Sequence, residues 1–180
     1  MKIEIKSINH LEQVLAEHGI ETATWGLGES RTLFELYCEI VSGETELFLD
    51  DDGKLYRTLH VVGIVVTCQG RRLKEDRQEF VDGRKRHRNL SVSCAEKIIK
   101  GETPKQAAVR CLKEELGINV HETEVIAKVN HSNTEISSSY PGLNSVYYRN
   151  PFEYEMKPEF FKEEGYQEFQ ENKTTYFIWE

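Results

Sequence analysis

The stretch KGETPKQAAVRCLKEELGI, residues 100–118, constrains this chain more than any other because its two ends are fixed. Thr103 followed by Pro104 and, three residues after Thr103, Gln106 forms a capping box with proline at the first helical position. Gly117 ends the helix. On a helix between those points, Ala108, Val109 and Leu112 can pack inward. Arg110 shares a side with Glu114, and Cys111 neighbours both Glu114 and Glu115. Glu102, just ahead of the cap, can approach the same region. Clustered carboxylates are what Mg²⁺ or Mn²⁺ requires, and an ion so held can stabilise charge on a diphosphate. The competing reading is an amphipathic helix whose acids are only a solvated end. Carboxylates at a helix C-terminus oppose the macrodipole slightly, which hints at another purpose.

The helix is embedded in β texture. LYRTLHVVGIVVTC is a long apolar run rich in β-branched residues, the pattern of a buried strand. RRLKEDRQEFV reads as its neighbour, and Asp82-Gly83 in VDGRKRHR is a hairpin signal. INVHETEVIAKVNH reads as a strand, NTEISSSYPGL as a polar loop, SVYYRNPFEYEM as an aromatic strand and TTYFIW as the last strand. FFKEEGYQEF reads as a short helix or turn. Before Lys54 the texture is helical. Ser7 caps a helix with Ile8, Leu11, Val14 and Leu15 in a stripe and Gly19 at its end. Ser30 starts a second, with Leu33, Phe34, Tyr37 and Ile40 on one side and Gly43 past its end. TELFL is a short strand and DDDG a turn. One helix among many strands, behind a helical piece, gives the class α+β. The division is 1–53 as a helical N-terminal extension and 54–180 as the main domain.

With 180 residues and a formal charge of −8, the chain suits one domain with an extension and is no general nucleic-acid or membrane-surface binder. No apolar run reaches the roughly 18 residues of a membrane span. Cys38, Cys68, Cys94 and Cys111 form no CxxC pair, so they read as reduced thiols of a cytoplasmic protein. The basic cluster RKRHR, 84–88, with Arg71 and Arg72, is either a set of phosphate-gripping forks or an exposed hairpin tip. WGLGES has two glycines and no preceding strand, so it reads as a turn into a helix. Trp25 would pin that turn. There is no HxxxH, GxSxG elbow or Walker lysine loop.

Counted back from Gly117, residues 96–118 resemble the Nudix box, which reads G, five residues, E, seven residues, R-E-U-x-E-E-x-G-U, with U aliphatic. Ile118, Glu115, Glu114, Leu112, Arg110 and Glu102 all match at the right spacing. The resemblance implies a Nudix-type α/β/α sandwich with a mixed sheet. It also implies hydrolysis of a nucleoside-diphosphate-linked small molecule with Mg²⁺ or Mn²⁺. Glu102, Glu114 and Glu115 would hold metal, and Glu115, Glu114 and Arg110 would be catalytic. Two positions depart. Glu96 replaces the first glycine, and Cys111 replaces the glutamate that in the family ligates metal and often activates water. A thiol is a poor ligand for Mg²⁺, though as thiolate it binds soft ions. Glu96, or Glu135 from the loop NTEISSSYPGL, is the candidate replacement carboxylate. The alternative function is an inactive Nudix-fold module that binds a nucleotide or a protein partner. For residues 1–53, three roles stay open: a lid, a homodimer interface or completion of the core.

Overall fold

The computed structural model describes residues 1–28 and 30–180; the glycine-rich turn Trp25–Ser30 includes Glu29, which lies outside the described residues. Three α-helices and eleven strands are set along the described chain. They gather into two compact units. One comprises Met1–His60, Lys97–Gly101 and His131–Arg149. The other comprises Val61–Glu96, Glu102–Asn130 and Asn150–Glu180. Strands β3 (Leu55–Cys68), β6 (Cys94–Lys97) and β9 (Asn144–Glu155) contribute residues to both.

In the first unit, α1 (Ile8–Glu17) starts where the Ser7 side chain accepts from the His10 amide at 3.1 Å, and it buries Leu11, Val14 and Leu15. Helix α2 (Leu33–Ser42) starts two residues later than expected. Thr32, not Ser30, is the cap, because Glu35 three residues on completes a capping box. Ser30 instead donates to the Thr24 and Leu27 carbonyls. Of the expected apolar side of α2, Leu33, Tyr37 and Ile40 pack partly buried against the core, and Phe34 does not. Leu36 and Glu39 are the buried residues, while Phe34 is exposed. Strands β1 (Lys2–Ile3) and β2 (Glu46–Leu49) pair antiparallel, and β2 pairs with Leu55–Thr58 of β3. The core gathers Leu11, Leu15, Trp25, Leu36, Tyr140 and Leu143 among others. Trp25 does pin its turn: its indole N–H donates to the Pro141 carbonyl and its ring meets Tyr140 at 5.1 Å.

The segment expected to be a polar loop is partly strand. β8 (His131–Ile136) pairs antiparallel with Asn144–Arg149 of β9, and the turn between them carries Tyr140 into the core. Ladder pairing with β9 overrode a polar local sequence. Conversely, INVHETEVIAKVNH is mostly irregular, with a two-residue β7 (Ile126–Ala127). Only Val125 and Ile118 of its apolar residues are buried, so the stretch lacks the alternating face a longer strand needs.

In the second unit, β3 passes through Gln69 and Gly70, both at positive φ, into β4 (Arg71–Phe80). Two consecutive positive-φ residues are the hairpin geometry that matches strand twist. β4 turns at Asp82-Gly83 into β5 (Lys85–Arg86), as the sequence predicts. On its other edge β4 pairs with β11 (Lys173–Trp179), which pairs with β10 (Tyr166–Phe169). A 3-10 turn over Pro158–Phe160 precedes β10, so FFKEEGYQEF is a turn and then a strand. Helix α3 (Pro104–Leu116) lies against β10 and buries Ala107, Ala108, Cys111, Leu112, Glu115 and Leu116.

Both ends of α3 follow the local code. The Thr103 hydroxyl accepts from the Gln106 amide at 3.2 Å, Gln106 returns the bond to the Thr103 amide at 2.9 Å, and Gly117 adopts φ 70°. Thr103→Ala is expected to cost about 1 kcal/mol, or roughly 2–4 °C in Tm. An unchanged melt would show that Pro104 and Gln106 suffice to start the helix.

Candidate functional site

Successive helical residues turn by about 100°, so α3 sorts its polar side chains onto two faces. One face carries Arg110 and Glu114. The other carries Cys111 and Glu115.

On the first face the Arg110 guanidinium forks onto Glu102, with Nε to Oε1 at 2.9 Å and Nη2 to Oε2 at 3.0 Å. Its Nη1 donates to Glu114 Oε2 at 3.2 Å. A bidentate charge-assisted fork is a strong, orienting contact. Glu102 is nearly enclosed, with 11% of its side chain exposed, against 50% for Glu114. The fork onto Glu102 raises the Arg110 pKa against the opposing effect of partial burial, with Glu96 and Glu114 adding to the rise. Arg110 thus fixes Glu102 relative to the helix and steadies Glu114.

On the second face Glu115 is buried, at 6% exposure, which rules out the solvated-end reading for this residue. Burial first, then the charge of Glu168, pushes its carboxyl up to about 8; Glu96 adds to the rise, and Cys111 and Arg88 oppose it. Much of Glu115 therefore keeps its proton at pH 7. The Cys111 thiol donates to Glu115 Oε1 at 3.3 Å. Cys111 also hydrogen bonds with Cys94 of β6. That bond, then burial, pushes the Cys111 thiol well above the usual range. Val109, expected to pack inward, is only half-buried, because the inward arc is taken by Ala108, Cys111, Leu112 and Glu115.

Glu96 is half-buried on β6, and its charge acts on Arg110, Glu115 and Cys94, so it reaches both faces of the box. Glu135 belongs to the other unit, on exposed β8, where it meets Arg149 at 3.7 Å and accepts from Asn133 at 3.3 Å. One acid was missed by sequence reasoning. Glu168 lies on β10, on the same side as buried Tyr166, and its charge acts on Glu115. The signal was available: Gly165 ends a turn, and the alternation Tyr166–Glu168 has strand period.

The basic cluster is largely absorbed by local acids. Arg84 pairs with Asp82 at 2.7 Å, Lys85 with Glu79 at 2.9 Å and Arg71 with Glu163 at 2.7 Å. Arg88 is the exception to a plain hairpin tip. It forks onto buried Glu75, and its charge also acts on Glu115.

The donor chemistry divides with the faces. Glu102 and Glu114, with Glu96, offer oxygen, which fits a hard divalent ion. The inner face offers two sulfurs and one oxygen. Among the described residues, the group of three His, Cys, Asp or Glu side chains whose donor atoms all lie within 4.8 Å of one another is Cys94, Cys111 and Glu115.

Helix, box spacing and flanking sheet define a class, and comparison with known families agrees. The NUDIX domain model matches residues 58–174. The chain belongs to the Nudix family, whose hydrolases generally use divalent metals. No curated protein matches the sequence. Solved structures with similarity to it include a MutT protein from Bacillus halodurans at 19% identity and TM-score 0.35, covering 55% of this chain and 60% of that one. A Deinococcus radiodurans protein is 16% identical at TM-score 0.36, covering 76% and 82%. The C. elegans Ap4A hydrolase is 15% identical at TM-score 0.35, covering 68% and 79%. Membership rests on the family model.

Proposed function

We propose that the chain is a Nudix-type hydrolase that cleaves the diphosphate of a nucleoside-diphosphate-linked small molecule with Mg²⁺ or Mn²⁺. The observation that carries this reading is the Arg110 fork, which orders Glu102 and Glu114 at the spacing of the box. Glu102, Glu114 and Glu115 hold the ion, and Glu96 stands in for the carboxylate missing at Cys111. Glu135 is the other candidate replacement. A bound divalent ion supplies charge neutralisation on the diphosphate oxygens. Arg110 positions the glutamates. Residues 54–180 form the hydrolytic domain and 1–53 its helical extension. The protein works in the cytoplasm on a small molecule rather than a nucleic acid, as a homodimer if the extension pairs.

A second reading keeps the fold and loses hydrolysis, leaving a nucleotide- or protein-binding module. The fully buried Cys111 thiol at a box glutamate position favours it. A panel of nucleoside diphosphate derivatives with Mg²⁺ or Mn²⁺ separates the two. Turnover is expected, and Glu114→Gln should lower kcat/KM on the order of 100-fold or more. Nucleotide binding without turnover in the wild type would establish the second reading.

A further inference from the structure

We propose that Cys94, Cys111 and Glu115 form a thiolate–carboxylate site for a borderline transition-metal ion of the zinc class, which shares Glu115 with the oxygen ligands proposed for Mg²⁺ and adds two sulfurs they lack. The donor atoms, two Sγ and one carboxylate oxygen, lie within 4.8 Å of one another, and all three residues are buried. Around a tetrahedral Zn²⁺ the bond lengths require about 3.7 Å between two sulfurs and about 3.5 Å between sulfur and oxygen. The Cys111 Sγ to Glu115 Oε1 separation is 3.3 Å, so this edge needs only a few tenths of an ångström of adjustment.

The ligands sit on rigid elements. Cys111 and Glu115 are one helical turn apart on α3, whose two ends are capped, and Cys94 is on β6 beside β3. Three protein donors, from a helix and a strand, would leave the fourth corner of a tetrahedral ion to a further ligand. Two thiolates and a carboxylate around a divalent ion leave one net negative charge. Arg88 and Lys173 both lie within the field of Glu115 and offset it. Soft sulfur selects against Mg²⁺ and Mn²⁺ and for zinc-class ions. In a reduced protein the same two sulfurs, already in contact, stay available as ligands; Cys94 and Cys111 are both free thiols.

The inference does not depend on hydrolysis, because ion binding is measured directly. Metal-stripped protein, kept under a non-chelating reductant, would be titrated with Zn²⁺ in competition with a chromophoric chelator and with Co²⁺ by absorption. One equivalent of each is expected, with Co²⁺ giving a sulfur-to-metal charge-transfer band and the strong visible bands of tetrahedral geometry. A hundredfold excess of Mg²⁺ should not displace either ion. Cys94→Ser, Cys111→Ser and Glu115→Gln should each weaken Zn²⁺ binding by about 100-fold or more. Glu114→Gln, about 100° round the helix from Glu115 and half-exposed, should leave it unchanged. The Co²⁺ spectrum of the wild type decides the matter if a serine variant fails to fold. Absence of a stoichiometric site, a Co²⁺ complex without a sulfur band, or binding insensitive to both cysteines would overturn the proposal. Zinc binding without any nucleotide turnover would sustain it while the hydrolase reading fell.

Discussion

Replacing Glu39 with glutamine is expected to destabilise the protein by about 3–5 kcal/mol, the cost of removing one partner from a buried ion pair. Glu39 is buried on α2 at the centre of a cage. Arg57 Nη1 approaches it at 3.2 Å, Lys97 Nζ at 2.7 Å and Arg31 Nη1 at 2.5 Å, and the Tyr140 hydroxyl donates to it at 3.0 Å. Arg57 has only 3% of its side chain exposed. With glutamine opposite, its charge would stay buried with no anion. Its neutral bonds to Ser145 and Ser137 do not replace that anion. Urea unfolding measures the loss, and a change below about 1 kcal/mol would show that Arg57 finds another partner or water.

The same cage sets a pH dependence. Burial by itself would raise the Glu39 carboxyl, but Lys97, Arg57 and Arg31 outweigh it and hold the group below its ordinary value of 4.5. Between the two values the unfolded chain binds more protons than the folded one, so stability rises with pH. The contribution is therefore present in full above about pH 4.5 and is lost as pH falls through the folded value. The stability gap between wild type and Glu39→Gln should be constant from pH 6 to 7 and narrow below about 4. A gap that widened on acidification would contradict the cage.

Gly165→Ala is expected to cost about 3 kcal/mol or more, or roughly 6–12 °C in Tm. Gly165 has φ 80°, which L residues rarely adopt, and a Cβ there would stand 1.9 Å from the Phe177 carbonyl oxygen. The obstacle is backbone of β11, so no side-chain rotation relieves it. The turn at Gly165 launches β10, which brings Glu168 beside Glu115 and lies against α3. Two measurements follow, a melt for stability and the Zn²⁺ titration for the site. A variant with wild-type stability would mean that the turn relaxes freely.

Much of this was legible in local sequence. The bounds of α3 are written in Thr103, Pro104, Gln106 and Gly117, because caps act within four residues. The hairpin at Asp82-Gly83 is equally local, and the strands β3, β9 and β11 announce themselves by β-branched and aromatic runs. Box spacing was visible because it is a count along one helix. Where local signals were weak or polar, the reading slipped. Ser30 carried a cap signal but Thr32 had the glutamate to complete the box, and His131–Ile136 became a strand because β9 offered a ladder.

What the sequence by itself determined is the helix, its register and the pairing of Arg110 with Glu114, since i to i+4 geometry follows from helical pitch alone. Tertiary structure decided the rest. It buried Glu115 and left Glu114 half-exposed, set Cys94 against Cys111 across seventeen positions of sequence, supplied Glu168 from β10, and enclosed Glu39 with three cations. The physical reason is common to all four. Burial and charge proximity depend on which strand or loop is packed against a face, and long-range pairing sets that, beyond the reach of caps and periods.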